Sequence, residues 1–146
     1  MRGPCPALLL WVPLLVNTML LGACVPNPPA TPPPGALRVV QSATEEALGI
    51  PVTLAIHDQR SDQNWFFLIA TPLTGTGGPV NYGDTRLADR AAEGEFDDWL
   101  CALLRKSGSN TWELLELEIG ATDVPFIDWP DRYGVPVELI MGKTPN

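Results

Sequence analysis

The chain is predicted to fold as an α+β domain, a helix lying across an antiparallel sheet of about four strands. Three observations predict it. Apolar residues recur at steps of three and four over residues 37–48, which is the helical period. Two pairs of short β-forming runs follow, each pair joined by a polar turn. Only about 110 residues remain once the ends of the chain are set aside, so these elements must share one small domain.

In order, Leu37, Val40, Ala43, Ala47 and Leu48 form the apolar stripe of a three-turn helix, and Gly49 followed by Pro51 stops it. From Pro51 to Gln59, Val52, Leu54 and Ile56 alternate with Thr53, Ala55 and His57. The polar cluster Ser61-Asp62-Gln63-Asn64 then turns the chain into Trp65-Phe66-Phe67-Leu68-Ile69-Ala70. This second strand is apolar on both faces and therefore belongs at the centre of a sheet covered on both sides. Thr71 to Gly83 reads as a loop, and Asp84-Thr85 as the cap of a short helix through Glu93, with Leu87, Ala88 and Ala91 inward and Gly94 closing it. A second hairpin runs from Phe96 to Lys106, turns at Ser107-Gly108-Ser109-Asn110, and returns through Thr111 to Ile119. Strict alternation puts Leu115, Leu117 and Ile119 on one face, and Trp112, Leu114, Glu116 and Glu118 on the other. No internal repeat or heptad is visible.

Ahead of the domain stand two segments of different composition. Residues 1–23 read as an export signal: one Arg and no acid up to Ala7, an apolar stretch from Leu8 to Leu21, then the small residues Gly22 and Ala23. The stretch is too short for the ~20 residues that cross a bilayer, and Pro13 interrupts it. Residues 24–36 continue as Cys24 and a tether, VPNPPATPPPGA, half of it proline. Such a segment lacks both the donors and the apolar mass to fold, and favours an extended polyproline spacer of ~3.1 Å per residue. The domain is residues 37–146.

Leu21-Gly22-Ala23-Cys24 resembles the lipobox of bacterial lipoproteins. The resemblance implies a diacylglyceryl group on Cys24, which becomes the new N-terminus, and attachment to a membrane facing the periplasm or the exterior. Of the three cysteines, Cys5 leaves with the signal and Cys24 carries lipid, so Cys101 has no partner within the chain. It sits in the apolar run Trp99-Leu100-Cys101-Ala102-Leu103-Leu104 and is expected to be a small core residue.

Formal net charge is −8, from 9 basic and 17 acidic residues. Loss of Arg2 with the signal makes the mature chain more acidic still, and phosphate backbones repel such a surface. Nucleic acid is not an expected partner.

Most catalytic constellations lack their residues. The single His, His57, has Asp58 beside it, but neighbours in a regular strand point to opposite faces, and no metal site is expected. No G-x-S-x-G turn presents a nucleophile, and Gly75-Thr76-Gly77-Gly78 is followed by Pro79 rather than a phosphate-loop Lys. No cofactor is expected. Carboxylates remain: Asp123, Asp128 and Asp131 lie near Phe126, Trp129 and Tyr133, where an aromatic wall can desolvate a carboxyl for general-acid use. Asp123 is the catalytic candidate. The competing reading makes Asp128 the cap of a one-turn helix ending at Tyr133-Gly134 and Asp123 a turn residue. Trp112, Glu116, Glu118 and Trp129 are the candidate ligand or partner surface, aromatic rings beside charge.

The order of helix, hairpin, long connection and hairpin resembles the cystatin-like and NTF2-like group, which implies a curved sheet wrapped around the helix. A cystatin inhibitor presents Q-x-V-x-G in its hairpin loop, and this chain has Arg60-Ser61-Asp62-Gln63-Asn64 there. Asn64-Trp65-Phe66-Phe67, and Gly120 to Phe126 with Trp129-Pro130, also resemble a group of small exported bacterial proteins. The expectation is a lipid-anchored envelope lipoprotein acting as a non-catalytic binding or structural module. Its partners would be the membrane, through the lipid, and an envelope protein or small ligand. The alternative is a small NTF2-like enzyme or ligand carrier using a pocket carboxylate.

Overall fold

The structure, a computed structural model, describes residues 31–142. The expected export signal, Cys24 and the expected tether as far as Ala30 lie outside the described residues. The described chain is α+β, with a four-stranded antiparallel sheet that is not closed. Among the described residues no helix is long and apolar enough to cross a membrane.

Helix α1 spans Ala36–Leu48 and buries Ala36, Val40, Thr44 and Leu48, one residue per turn on a single face. Thr44 is tolerated there because its hydroxyl donates back to the Val40 carbonyl at 2.8 Å. The helix ends at Gly49, whose φ of +76° suits a residue without Cβ, and whose N–H closes on the Glu45 carbonyl at 2.8 Å.

Strands β1 (Val52–Ser61), β2 (Trp65–Thr74), β3 (Leu100–Lys106) and β4 (Trp112–Ile119) pair in sequence order. β1 is an edge strand, and α1 satisfies its first backbone groups: Gln41 Nε2 donates to the Val52 carbonyl at 2.8 Å, and the Val52 N–H donates to Glu45 Oε1 at 3.2 Å. Between the hairpins run a 3-10 turn (Tyr82–Asp84) and the five-residue helix α2 (Ala88–Ala92). After β4 come two more one-turn helices, α3 (Trp129–Tyr133) and α4 (Val137–Met141).

The apolarity of β2 on both sides has its reason in two cores. On one face Phe66, Leu68 and Ala70 of β2 and Leu100, Ala102 and Leu104 of β3 pack with Val40 and Leu48 of α1 and Ile119 of β4. On the other, Phe67, Cys101 and Leu103 pack beneath Trp129, Val135, Leu139 and Ile140. The sheet is thus the middle of three layers, its second cover made by α3 and α4.

Four expectations need correction. β2 runs on to Thr74, paired with β1, where a loop from Thr71 was expected. β3 begins at Leu100 and not at Phe96. Phe96 leaves the strand direction to pack on Tyr82 with ring centroids 4.6 Å apart, and the exposed Asp97-Asp98 pair has no place in a central strand. In β4 the alternation reverses phase. Leu103 pairs with Glu116 but Leu104 with Leu114, so Leu115 is one residue too many. This bulge turns Trp112 and Leu114 to the α1 face with Leu117, and sends Leu115 to the second core. A like shift between Ile56 and Asp58 leaves His57 unpaired in β1.

Candidate functional site

Asp123 is exposed in the turn after β4, on the rim of an open polar cleft of about 400 Å³ that Arg90, Glu93, Glu95 and Glu118 also line. The aromatic wall turns away from it. Phe126 and Trp129 pack edge-on against Phe67, with centroids 5.1 and 6.1 Å away, inside the second core. Trp129 is 1% exposed, so it is a core residue and not part of a partner surface, a correction that follows from the second apolar face of β2 needing a cover. Asp128 does stand at the start of α3, but its side chain makes no capping bond. It lies 3.8 Å from Arg132 instead. Asp131 is exposed.

The bulge at Leu115 also separates Trp112 from Glu116 and Glu118. Glu116 accepts hydrogen bonds from the Tyr133 hydroxyl and, at 2.6 Å, from Arg132 Nη2, tying α3 to β4. The bond to Glu116 pushes the Tyr133 phenol up from its ordinary range. Glu118 pairs across the sheet with Cys101. Burial, seconded by Glu118 and Glu116, pushes that thiol up to about 12, the behaviour of an unreactive core sulfur.

His57 and Asp58 do not alternate as neighbours in a regular strand do, because His57 is itself the extra residue of the bulge between Ile56 and Asp58. His57 Nε2 lies 2.8 Å from Thr71 Oγ1, and Asp58 pairs with Arg60. Each ring or carboxyl has its own neighbour, and among the described residues no three His, Cys, Asp or Glu side chains converge to hold a metal ion.

A cleft that periodicity does not reveal forms where the β1–β2 turn meets α4. It has a volume of about 390 Å³ and is lined by Arg60, Asp62, Pro136, Glu138, Leu139 and Gly142. Arg60 builds it. Nη1 donates to the carbonyls of Leu139 at 3.2 Å and Ile140 at 2.5 Å, Nη2 pairs with Asp58, and the guanidinium lies 5.6 Å from the Phe67 ring centroid. One side chain thereby holds the last carbonyls of α4 against β1, as a cation near a helix C-terminus should. Asp62 shapes the opposite wall, Oδ1 accepting the N–H groups of Asn64 at 2.7 Å and Trp65 at 2.8 Å. Outside the cleft's lining, Val137 and Met141 stand one turn apart on α4 and are 54% and 46% exposed. The sequence signal for this cover was the apolar density after Gly134: Val135, Val137, Leu139, Ile140 and Met141.

Protein-family models, curated proteins and solved structures were each compared with the chain, and none matches.

Proposed function

We propose that the chain is a bacterial envelope lipoprotein, held to its membrane through acylated Cys24, whose folded body is a non-catalytic binding module. The observation that carries the second half is the interior between α1 and the sheet. An enzyme or carrier of the NTF2-like kind requires a roomy cavity there with a buried carboxyl. That space is filled by Val40, Leu48, Val52, Phe66, Leu68, Leu100, Leu104 and Ile119; its fully buried polar residue among those described, Thr44, is bonded to its own helix, and the buried hydroxyl at its margin, that of Tyr82, is not a carboxyl. The order of one helix and two hairpins is what supports a cystatin-like or NTF2-like reading of the fold, to which α3 and α4 would be additions on the far face.

The anchoring half rests on the lipobox-like Leu21-Gly22-Ala23-Cys24 and the proline-rich spacer after it. Each buried methylene of an acyl chain contributes ~0.8 kcal/mol, and two chains are enough for stable attachment. The test is fractionation of cells making the full chain or its Cys24→Ala variant. The native chain should sediment with membranes and carry a diacylglyceryl mass on Cys24, and the variant should lose that mass. A native N-terminus that begins with unprocessed Met1 would overturn the reading.

A further inference from the structure

We propose that the cleft between the β1–β2 turn and α4 receives a basic, apolar segment of a partner protein: an apolar side chain in the cleft, with Lys or Arg beside it facing Asp62 and Glu138. The inference rests on the reading of the body as a binding module and names the chemistry of what it binds.

Size comes first. At about 390 Å³ the cleft is at the low end of the ~300–1,000 Å³ range of ligand clefts, so it suits one or two side chains better than a large cofactor. Its apolar wall is Pro136 and Leu139.

Charge decides the partner. Among the described residues the cation that lines the cleft is already engaged, since Arg60 is paired with Asp58 and bonded to two α4 carbonyls. The rim carboxylates Asp62 and Glu138 form no salt bridge among the described residues. The described charges around the cleft are therefore net acidic, as is the whole chain at −8. An anionic lipid surface and a second copy of this chain both meet like charge there, whereas a Lys- or Arg-bearing segment meets its complement.

The test is a nuclear magnetic resonance titration of the ¹⁵N-labelled full chain in detergent micelles. The probes are a hexapeptide of two central leucines flanked by lysine pairs and its glutamate-flanked counterpart. The lysine peptide should shift the amides of Asp62, Glu138, Leu139 and Gly142, and the glutamate peptide should not. The double variant Asp62→Asn, Glu138→Gln keeps the turn's acceptor oxygen and should weaken the lysine peptide about fivefold. No shift at millimolar peptide, equal response to both peptides, or unchanged affinity in the double variant would each overturn the proposal. Shifts confined to the cleft of Glu93, Glu95 and Asp123 would overturn it too, while leaving the binding-module reading in place. Membrane attachment is read separately by the Cys24→Ala fractionation.

Discussion

The indole N–H of Trp112 donates to the carbonyl of Pro34 at 3.2 Å, joining the tip of the β3–β4 hairpin to the end of the proline-rich tether. The ring meets Phe66 edge-on, with centroids 6.4 Å apart, so the same side chain also closes the α1-side core. Between them Gly35 turns the chain with φ of +85°, and a Cβ there would come within 3.2 Å of the Asn110 carbonyl oxygen. Trp112 thus fixes where the tether enters the domain.

Replacing Trp112 separates its two roles. Trp112→Phe keeps the ring against Phe66 and loses only the exposed N–H donor, at a cost of under about 1 kcal/mol. Trp112→Ala also removes the packing, and should cost about 2 to 3 kcal/mol for this half-buried ring. Urea unfolding of both variants checks the order. Equal losses would mean that the hydrogen bond, and not the ring, holds the hairpin tip.

Gly120 and Gly94 share a positive φ, +77° and +87°, but differ in surroundings. A Cβ on Gly120 would lie 2.3 Å from the Phe96 ring, whereas one on Gly94 meets nothing within 4 Å. Gly94→Ala should cost only the left-handed backbone penalty, about 1 to 2 kcal/mol. Gly120→Ala must also displace Phe96 from Tyr82 and should cost clearly more, read as the difference in thermal midpoints.

Stability should fall as the solution becomes alkaline. In the unfolded chain Cys101 titrates near 9 and Tyr82 near 10, but in the fold burial raises both to about 12, with Asp98 adding to the shift of Tyr82. Above pH 9 the unfolded state therefore releases protons first and is favoured, so the contribution present below pH 9 is lost progressively toward pH 12. Urea midpoints at intervals from pH 7 to 11 should decline, and Cys101→Ala should flatten the part beginning near pH 9. For the same reason the native thiol should resist Ellman's reagent at pH 8 and react fully in denaturant.

Arg60→Ala removes the cation that holds the Leu139 and Ile140 carbonyls and leaves Asp58 unpaired. A five-residue helix has little stability of its own, so α4 should loosen ahead of global unfolding. Hydrogen exchange should speed up selectively over residues 137–142, with the β2 and β3 amides unchanged. Uniform acceleration across the sheet would show that α4 and the sheet unfold as one unit.

The two hairpins were legible because each turn is a cluster of polar residues between two apolar or alternating runs, a signal that needs no partner to be read. The double-sided apolarity of β2 likewise announced a central strand with two covers. The identity of the second cover was not legible. Residues 129–141 form one-turn helices, too short for a period to emerge, and Trp129 looks the same in a sequence whether it faces water or Phe67. That Trp112 does not share a face with Glu116 and Glu118 was hidden for another reason: a bulge adds one residue to one strand, and which residue it is depends on the partner across the sheet.

By itself the sequence determined the α+β class, the acidic character and the sheet-forming segments, because composition and local period act through nearest neighbours. Tertiary structure decided which side of the sheet each β4 residue faces, that the aromatic wall packs inward and away from Asp123, and that Arg60 and α4 enclose a cleft. Those outcomes depend on contacts between residues as much as 80 positions apart, such as Arg60 with Ile140, and no window on the chain contains both partners.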